Sequence, residues 1–479
     1  MTNSFPLPTP RLRLLASGAL ALALVGCASV GENYRTPASM APAAWQAAHL
    51  DNGAATTSLE RWWQQFDDAQ LVALIERSFQ ANPDLLSARA SLRASRALER
   101  IALAKRSPDL TAGASSGANK IGGNAVAESW VAGFDASWEI DLFGGIRHGV
   151  EAAQADRAAA AASLANAHAS LAAEVALNYI TLRTAQARLQ IAERNLASQQ
   201  ETLQLTDWRA QAGLASSVDV EQARTNMEQT RAQIPTLQTG IVSAANRLSV
   251  LTGEAPGRLQ TTLATGNLPN VSTAVAVGIP ADVLRQRPDV RAAERTLAAE
   301  VARRGVAEAG RYPSFSLSGT LALESAALAT LGNGASVVRS LSAAISGVLF
   351  DGGRLEALVE QQDAVREQSL QSYRSTVLGA LEDVENALTA FDNTNRRRAA
   401  LAAASTAARN ANLLAADRYR SGLIDFSTVL ETERSLLITE DSLASAEGER
   451  LTALVQLYKA LGGGWSAADL TEESNGHAS

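Results

Sequence analysis

Between Trp130 and Leu142 the chain alternates with a period of two. Trp130, Ala132, Phe134, Ala136, Trp138, Ile140 and Leu142 fall on one side; Val131, Gly133, Asp135, Ser137, Glu139 and Asp141 fall on the other. Successive side chains of a strand point to opposite faces, so this pattern predicts a strand over 130–142 with one apolar and one polar face. A weaker alternation gives a strand over about 109–119 and a hairpin with its tip between Lys120 and Ser129. Further on, Phe315, Leu317, Leu321 and Leu323 alternate with Ser314, Ser316, Ser318 and Thr320. Leu341, Ile345 and Leu349 alternate with Ser340, Ser342 and Ser346, so strands are expected over about 313–324 and 337–350.

Elsewhere the apolar spacing is helical. One helix is expected from Leu59 through Phe79, broken by Asn82-Pro83, and another from Asp84 to Arg106, stopped by Pro108. Residues 147–211 contain no proline and read as one helix roughly 100 Å long at 1.5 Å per residue. Gly213 ends it, Ser217 or Asp219 can cap the returning helix, and Pro235 is placed to bend that helix. A second proline-free helix covers 354–421, within which Val377, Leu381, Val384, Leu388 and Phe391 keep a coiled-coil spacing of four and three.

The two halves are copies. NPDLLSARASLRASRALERIALAKRSPDL from Asn82 matches RPDVRAAERTLAAEVARRGVAEAGRYPSF from Arg287, and LFGGIR at Leu142 matches LFDGGR at Leu349. AGL at Ala212 is mirrored by SGL at Ser421. The period is too long for a solenoid and indicates an internal duplication. The expected organisation is a signal peptide (1–26), an N-terminal tether (27–58), a first repeat (59–270), a second repeat (271–463) and a flexible tail (464–479).

Composition narrows the function. The net charge of −7 argues against nucleic acid as a partner, because phosphate binding needs a basic face. His49, His148, His168 and His477 form no ligand spacing and sit by no nucleophile set, so the chain reads as no enzyme, with no metal or cofactor. The glycine pairs Gly144-Gly145 and Gly352-Gly353 lack the spacing and lysine of phosphate loops and read as strand-to-helix turns. Cys27 is the single cysteine. Arg11 and Arg13 precede an apolar run from Leu14 to Val25, a secretory leader. Past residue 27 no stretch reaches the roughly 20 apolar residues of a spanning helix, so any crossing is made by strands. Strands of about ten residues suit a tilted membrane barrel, and a free edge cannot face lipid. Four strands are too few to close, so the barrel is shared between copies; three copies would give twelve strands and a lumen.

The chain resembles the TolC/OprM family of outer-membrane factors, in its lipoprotein (NodT-like) branch. LVGC at Leu24, GENYRTP at Gly31, WWQQFDDAQLVALIE at Trp62, WEIDLFGGIR at Trp138 and GIPADVLRQRPDVRAAE at Gly278 carry the resemblance. LFDGGR at Leu349, RYRSGLIDF at Arg418 and YKALGGGW at Tyr458 complete it. It implies a mostly α fold with transmembrane β structure: a homotrimer whose twelve-stranded outer-membrane barrel stands on a periplasmic α-helical tunnel. It implies a lipid on Cys27, an outer-membrane location, a periplasmic membrane-fusion adaptor and an inner-membrane pump of the resistance-nodulation-division (RND) class as partners. The duct would passively release drugs or other small toxic compounds. A lipid-anchored coiled-coil spacer or adhesin stalk is the alternative, and it leaves the four two-faced strands unexplained. By the same resemblance, Gly213, Leu214, Gly422 and Leu423 mark adaptor-contact tips. A periplasmic gate is expected around Tyr419, Asp425, Ser427, Glu431 and Arg434. Ser427 stands where relatives place a leucine plug, Glu431 where they place an acidic ring and Arg434 where they place its basic neighbour. Glu431 and Arg434 are spaced for a salt link on one helix face.

Overall fold

The computed structural model describes residues 30–38, 40–46, 59–122, 125–264, 266–271 and 280–466. Its chain divides into two compact units, and the long helices run through both. The elements come in two matched series. The first is α1 (Ala69–Ala81), α2 (Pro83–Ala104), β1 (Asp109–Asn119), β2 (Ala127–Ile140), α3 (Gly145–Gln211) and α4 (Ser217–Leu251). The second is α5 (Pro280–Gln286), α6 (Pro288–Ala309), β3 (Ser314–Ser325), β4 (Val337–Ser346), α7 (Arg354–Arg420) and α8 (Phe426–Ala460). The duplication is kept element by element: α2 and α6 have 22 residues each, α3 and α7 have 67, and α4 and α8 have 35.

The first unit holds the sheet, an antiparallel meander in the order β1-β2-β3-β4. Its register puts Phe134 opposite Leu321 and Trp138 opposite Leu317, and Leu321 in turn opposite Arg339. Every even position of β2 therefore shares a face with the odd positions of β3 and β4, and that face is the apolar one. The other face carries Ser314, Ser316, Ser318, Ser340 and Ser342, and Thr320 donates to Asp135 at 2.7 Å. Among the described residues β1 and β4 each have one strand neighbour, so both outer edges of the sheet are open.

β2 ends at Ile140, two residues before the expected Leu142, and two further strand limits differ from expectation for a backbone reason. The last β3–β4 pair is Ser314 with Ser346. Pro313 precedes it and has no N–H to extend the ladder, so β4 stops four residues short of Phe350. Phe350 is then exposed, whereas Phe143, its counterpart in the first repeat, stacks on Tyr312 at 4.7 Å. At the other end, pairing with Asn119 draws Ala127 into β2 ahead of the alternating run.

The described residues of the expected tether are extended, and they are docked. Within the first unit Val30 donates to the Phe143 carbonyl at 3.2 Å, and Tyr34 and Thr36 both donate to Glu294, at 3.0 and 3.2 Å. Burial beside the Glu294 carboxylate pushes the Tyr34 hydroxyl above its ordinary range. Gly31, at φ +116°, lies against His148 and Gly305; a Cβ there would come within 2.9 Å of His148 Nε2. His148 itself is buried, with Nε2 at 2.8 Å from the Val30 carbonyl and Nδ1 at 2.8 Å from Glu151.

The second unit is helical. The helix expected from Leu59 to Phe79 is broken: Trp62–Phe66 forms a short 3-10 turn, and Asp68 then caps α1 by accepting from Gln70 and Leu71 N–H at 2.9 and 3.0 Å. Trp62 is fully buried and stacks on Tyr458 at 5.4 Å. The residue before each repeat's proline is extended or reaches across to close a helix. Asn82, in extended backbone, accepts from Asp84 and Leu85 N–H at 3.0 Å each, starting α2, and donates to the Leu251 carbonyl at the end of α4 at 3.1 Å. Arg287, its equivalent, donates to the Ala460 carbonyl at the end of α8 at 3.1 Å and pairs with Asp289 and Asp383. The tail expected from 464 begins anchored: Gly464 donates to the Leu59 carbonyl, and Trp465 Nε1 to the Gly462 carbonyl.

Candidate functional site

Both long hairpins of the second unit end the same way. Gly213 and Gly422 have φ of +75° and +73°, the left-handed conformation that glycine adopts without steric cost. Gly213 N–H bonds the Ala210 carbonyl at 2.9 Å and Leu214 N–H the Arg209 carbonyl at 2.8 Å. Gly422 and Leu423 repeat this on the Tyr419 and Arg418 carbonyls, each at 2.9 Å. These are Schellman caps, which satisfy the last carbonyls of α3 and α7 and reverse the chain within a few residues. They leave Leu214 and Leu423 projecting, at 72% and 73% exposure. A single exposed leucine is ordinary on a protein surface, but these two recur at matching positions of the duplicated tips.

The two returns differ. The first is closed by a capping box in which Ser216 Oγ accepts from Asp219 N–H at 3.1 Å and Asp219 accepts from Ser216 N–H at 2.9 Å. Ser216 is thus the cap, Ser217 is the first helical residue, and Asp219 completes the box. The second return has Asp425 at the N-cap, exposed, with no side-chain capping bond.

Of the residues expected at a gate, the structure brings Tyr419 into the interior. Its ring is buried with Ala223, Phe426, Val429 and Leu430, 5.6 Å from the Phe426 ring. Arg209 of the first hairpin covers it, with the guanidinium 4.3 Å from the ring centre and one N–H donated to the Tyr419 carbonyl at 2.8 Å. Tyr419 is therefore a clasp between hairpins rather than a surface group. Ser427, Glu431 and Arg434 lie exposed on α8. The Glu431–Arg434 salt link is not made; Arg434 instead donates to Asn226 Oδ1 on α4 at 3.2 Å, because a partner on the neighbouring helix lies within reach. Cys27 lies outside the described residues.

Four groups escape a reading of the sequence alone. Arg209 stands four residues before Gly213, as Arg418 stands before Gly422, so an R-x-x-x-G-L string recurring at both tips is its signal. Glu433 is buried on α8 between the exposed Glu431 and Arg434. Thr202 donates to one oxygen at 2.6 Å, and the other meets no partner. Burial holds this carboxyl above the ordinary value of 4.5. One turn before Thr202, the Gln199 amide is buried and equally unpartnered. Further along, Arg188 grips Asp441 through two bonds of 2.7 and 3.0 Å, tying α3 to α8.

Residues 74–254 and 279–463 match the family model described as Outer membrane efflux protein, one match for each structural repeat. The chain belongs to the outer membrane efflux protein family. It is 32% identical over 451 residues to Nodulation protein T of Rhizobium leguminosarum bv. trifolii, spanning 93% of this chain and 96% of that protein. It is likewise 32% identical over 458 residues to the outer membrane protein OprJ of Pseudomonas aeruginosa, spanning 93% and 95%. The solved outer-membrane channel OprN aligns with a TM-score of 0.87 at 38% identity, over 91% of this chain and all of that one. This protein is accordingly an outer-membrane efflux channel, mostly helical, with a β-barrel contribution and a helical tunnel.

Proposed function

We propose that three copies of this chain form the passive exit duct of a tripartite efflux system, releasing drugs or other small toxic compounds handed over by an RND-class pump and a periplasmic adaptor. The observation that carries this reading is the four-stranded sheet with both edges open and one face apolar. In lipid an open edge leaves unsatisfied N–H and C=O groups at several kcal/mol each, so the edges must meet other copies. Three copies leave a lumen, where two would give a side-chain-filled barrel.

The lipid on Cys27 belongs to the same reading. Val30 is bonded to Phe143 just past β2, and three residues of chain reach at most about 11 Å, so acyl chains on Cys27 would enter the bilayer beside that end of the sheet. Leu214 and Leu423 supply apolar contacts for the adaptor's tips. Asp425, Ser427, Glu431 and Arg434 form the exposed side of the periplasmic gate, and Tyr419 with Arg209 sets its stiffness.

In a symmetric assembly Glu431 recurs around the axis, and like charges on one axis focus a negative potential that favours cations. Single-channel recording of Glu431→Ala in planar bilayers tests the gate: reduced cation selectivity is expected. Unchanged conductance and selectivity would remove Glu431 from the gate. A wild-type protein that never conducts would remove the duct itself.

A further inference from the structure

The apolar face of the sheet carries one charge where none is expected. Register ties Trp130 to Ser325 at the outer end of the strands and Trp138 to Leu317 and then Ala343 at the inner end. Between those two levels the face is built of Ala, Leu, Phe and Gly, together with Val337 and Arg339 of β4. Arg339 pairs with Leu321, which pairs with Phe134, so the guanidinium stands on the same side as those apolar groups. It is exposed. Glu128, the other charged group on this side among the described strands, pairs with Ala118, beyond the Trp130 level and toward the hairpin tip.

An arginine on the lipid face of a barrel is costly at the membrane midplane and close to neutral near an interface. Arg339 has one interface in reach. β4 begins at Val337, directly after turns over Leu328–Thr330 and Gly334–Ser336. Irregular backbone cannot face hydrocarbon, so those turns lie at headgroup level. Arg339 is two residues into β4, about 7 Å along the strand from its start, which its flexible stem can span while the head stays wet. The opposite interface is at the other end of β4, too far to reach. The strands β1 and β3 enter from helices and β2 and β4 return to helices at that opposite end, so the turns after β3 mark the outer side.

We propose that Arg339 is a receptor for a phosphate of lipid A, the glycolipid of the outer leaflet. The chemistry is direct: guanidinium is planar, always charged and binds phosphate through two parallel N–H donors. An anionic headgroup turns the charge from a burden on the lipid face into a contact holding one lipid against the edge strand β4. Because β4 is an open edge that meets another copy, the bound lipid would sit at the seam between subunits. The site rests on the barrel reading above and goes beyond it by naming a lipid ligand and the residue that takes it.

The test uses full-length protein, with Arg339→Leu and Arg339→Lys, reconstituted in phosphatidylcholine vesicles that are plain, doped with lipid A, or doped with phosphatidylglycerol. The reading is the temperature at which the oligomer dissociates. Lipid A is expected to raise it for wild type, to raise it partly for Arg339→Lys, and to leave Arg339→Leu unmoved. In plain vesicles Arg339→Leu is expected to match or exceed wild type, since a charge has left the lipid face. An equal rise in all three proteins overturns the assignment to Arg339, and an equal rise from phosphatidylglycerol overturns the assignment to lipid A. If Arg339→Leu does not assemble, Arg339→Gln carries the same comparison. Planar-bilayer conductance of the wild type separates this site from the barrel reading, because a wild type that conducts while lipid A has no effect refutes the lipid site alone.

Discussion

Replacing Arg209 by alanine should loosen the periplasmic end of the hairpins and nothing else. Two interactions go at once: the guanidinium 4.3 Å over the Tyr419 ring, and the N–H bond to the Tyr419 carbonyl at 2.8 Å. A half-exposed cation–π contact contributes about 1 kcal/mol. A hydrogen bond from a charged donor contributes about 1.5–3 kcal/mol, but Gly422 N–H still satisfies the Tyr419 carbonyl, so the lower end applies. The sum is about 2.5 kcal/mol, a factor of about 70 in a local opening equilibrium. Amide hydrogen exchange of peptides around 205–214 and 417–426 reads that opening directly. Protection there should fall by about that factor, while the stacked Trp62–Tyr458 region stays unchanged. Arg209→Lys keeps the charge and loses the planar stack, so it should fall between the two. Exchange that is unaltered at both tips, or accelerated equally throughout the helices, would refute the clasp.

Glu433 gives the hairpins a pH dependence. Its folded carboxyl titrates above the ordinary value of 4.5 because burial disfavours the charged form. The folded state therefore holds this proton more tightly than the unfolded state, and the stability it contributes is full below the ordinary value and is lost as pH rises through the raised one. Exchange at the tips should quicken as pH rises through that range, after correction for intrinsic rates, and Glu433→Gln should flatten the profile. Asn82→Ala removes the cap of α2 and the bond to the Leu251 carbonyl, a loss of about 2 kcal/mol. The thermal midpoint of the detergent-purified protein should drop, and Asn82→Asp, which keeps the capping oxygen, should recover part of it.

Which of these features the sequence discloses follows from how local they are. The two-faced strands are legible because period-two alternation depends only on the pleat, and the register then aligns all four apolar faces. The tips are legible because a left-handed residue ending a long helix is nearly always glycine. Strand ends are less so: whether β4 reaches Phe350 depends on Pro313 in the partner strand. The contacts between the hairpins are the least legible part. Arg209 and Tyr419, Thr202 and Glu433, and Asn226 and Arg434 meet across hairpins more than two hundred residues apart in the chain. No spacing within one helix encodes such a pairing. Tyr419 stands opposite Ala210 in the duplicated tips, and its packing with Phe426 and Arg209 follows from contacts that no local spacing discloses. The GENYRTP string likewise acquires a reason only from tertiary contacts, with Gly31 fitted against Gly305 and His148, and Tyr34 bonded to Glu294.

The central claim is that four strands per chain close into a barrel only with two further copies. Native mass spectrometry of the intact complex released from detergent counts the copies directly. A single species of three chains is expected. A stable monomer or dimer would contradict it, since neither brings twelve strands together around a lumen.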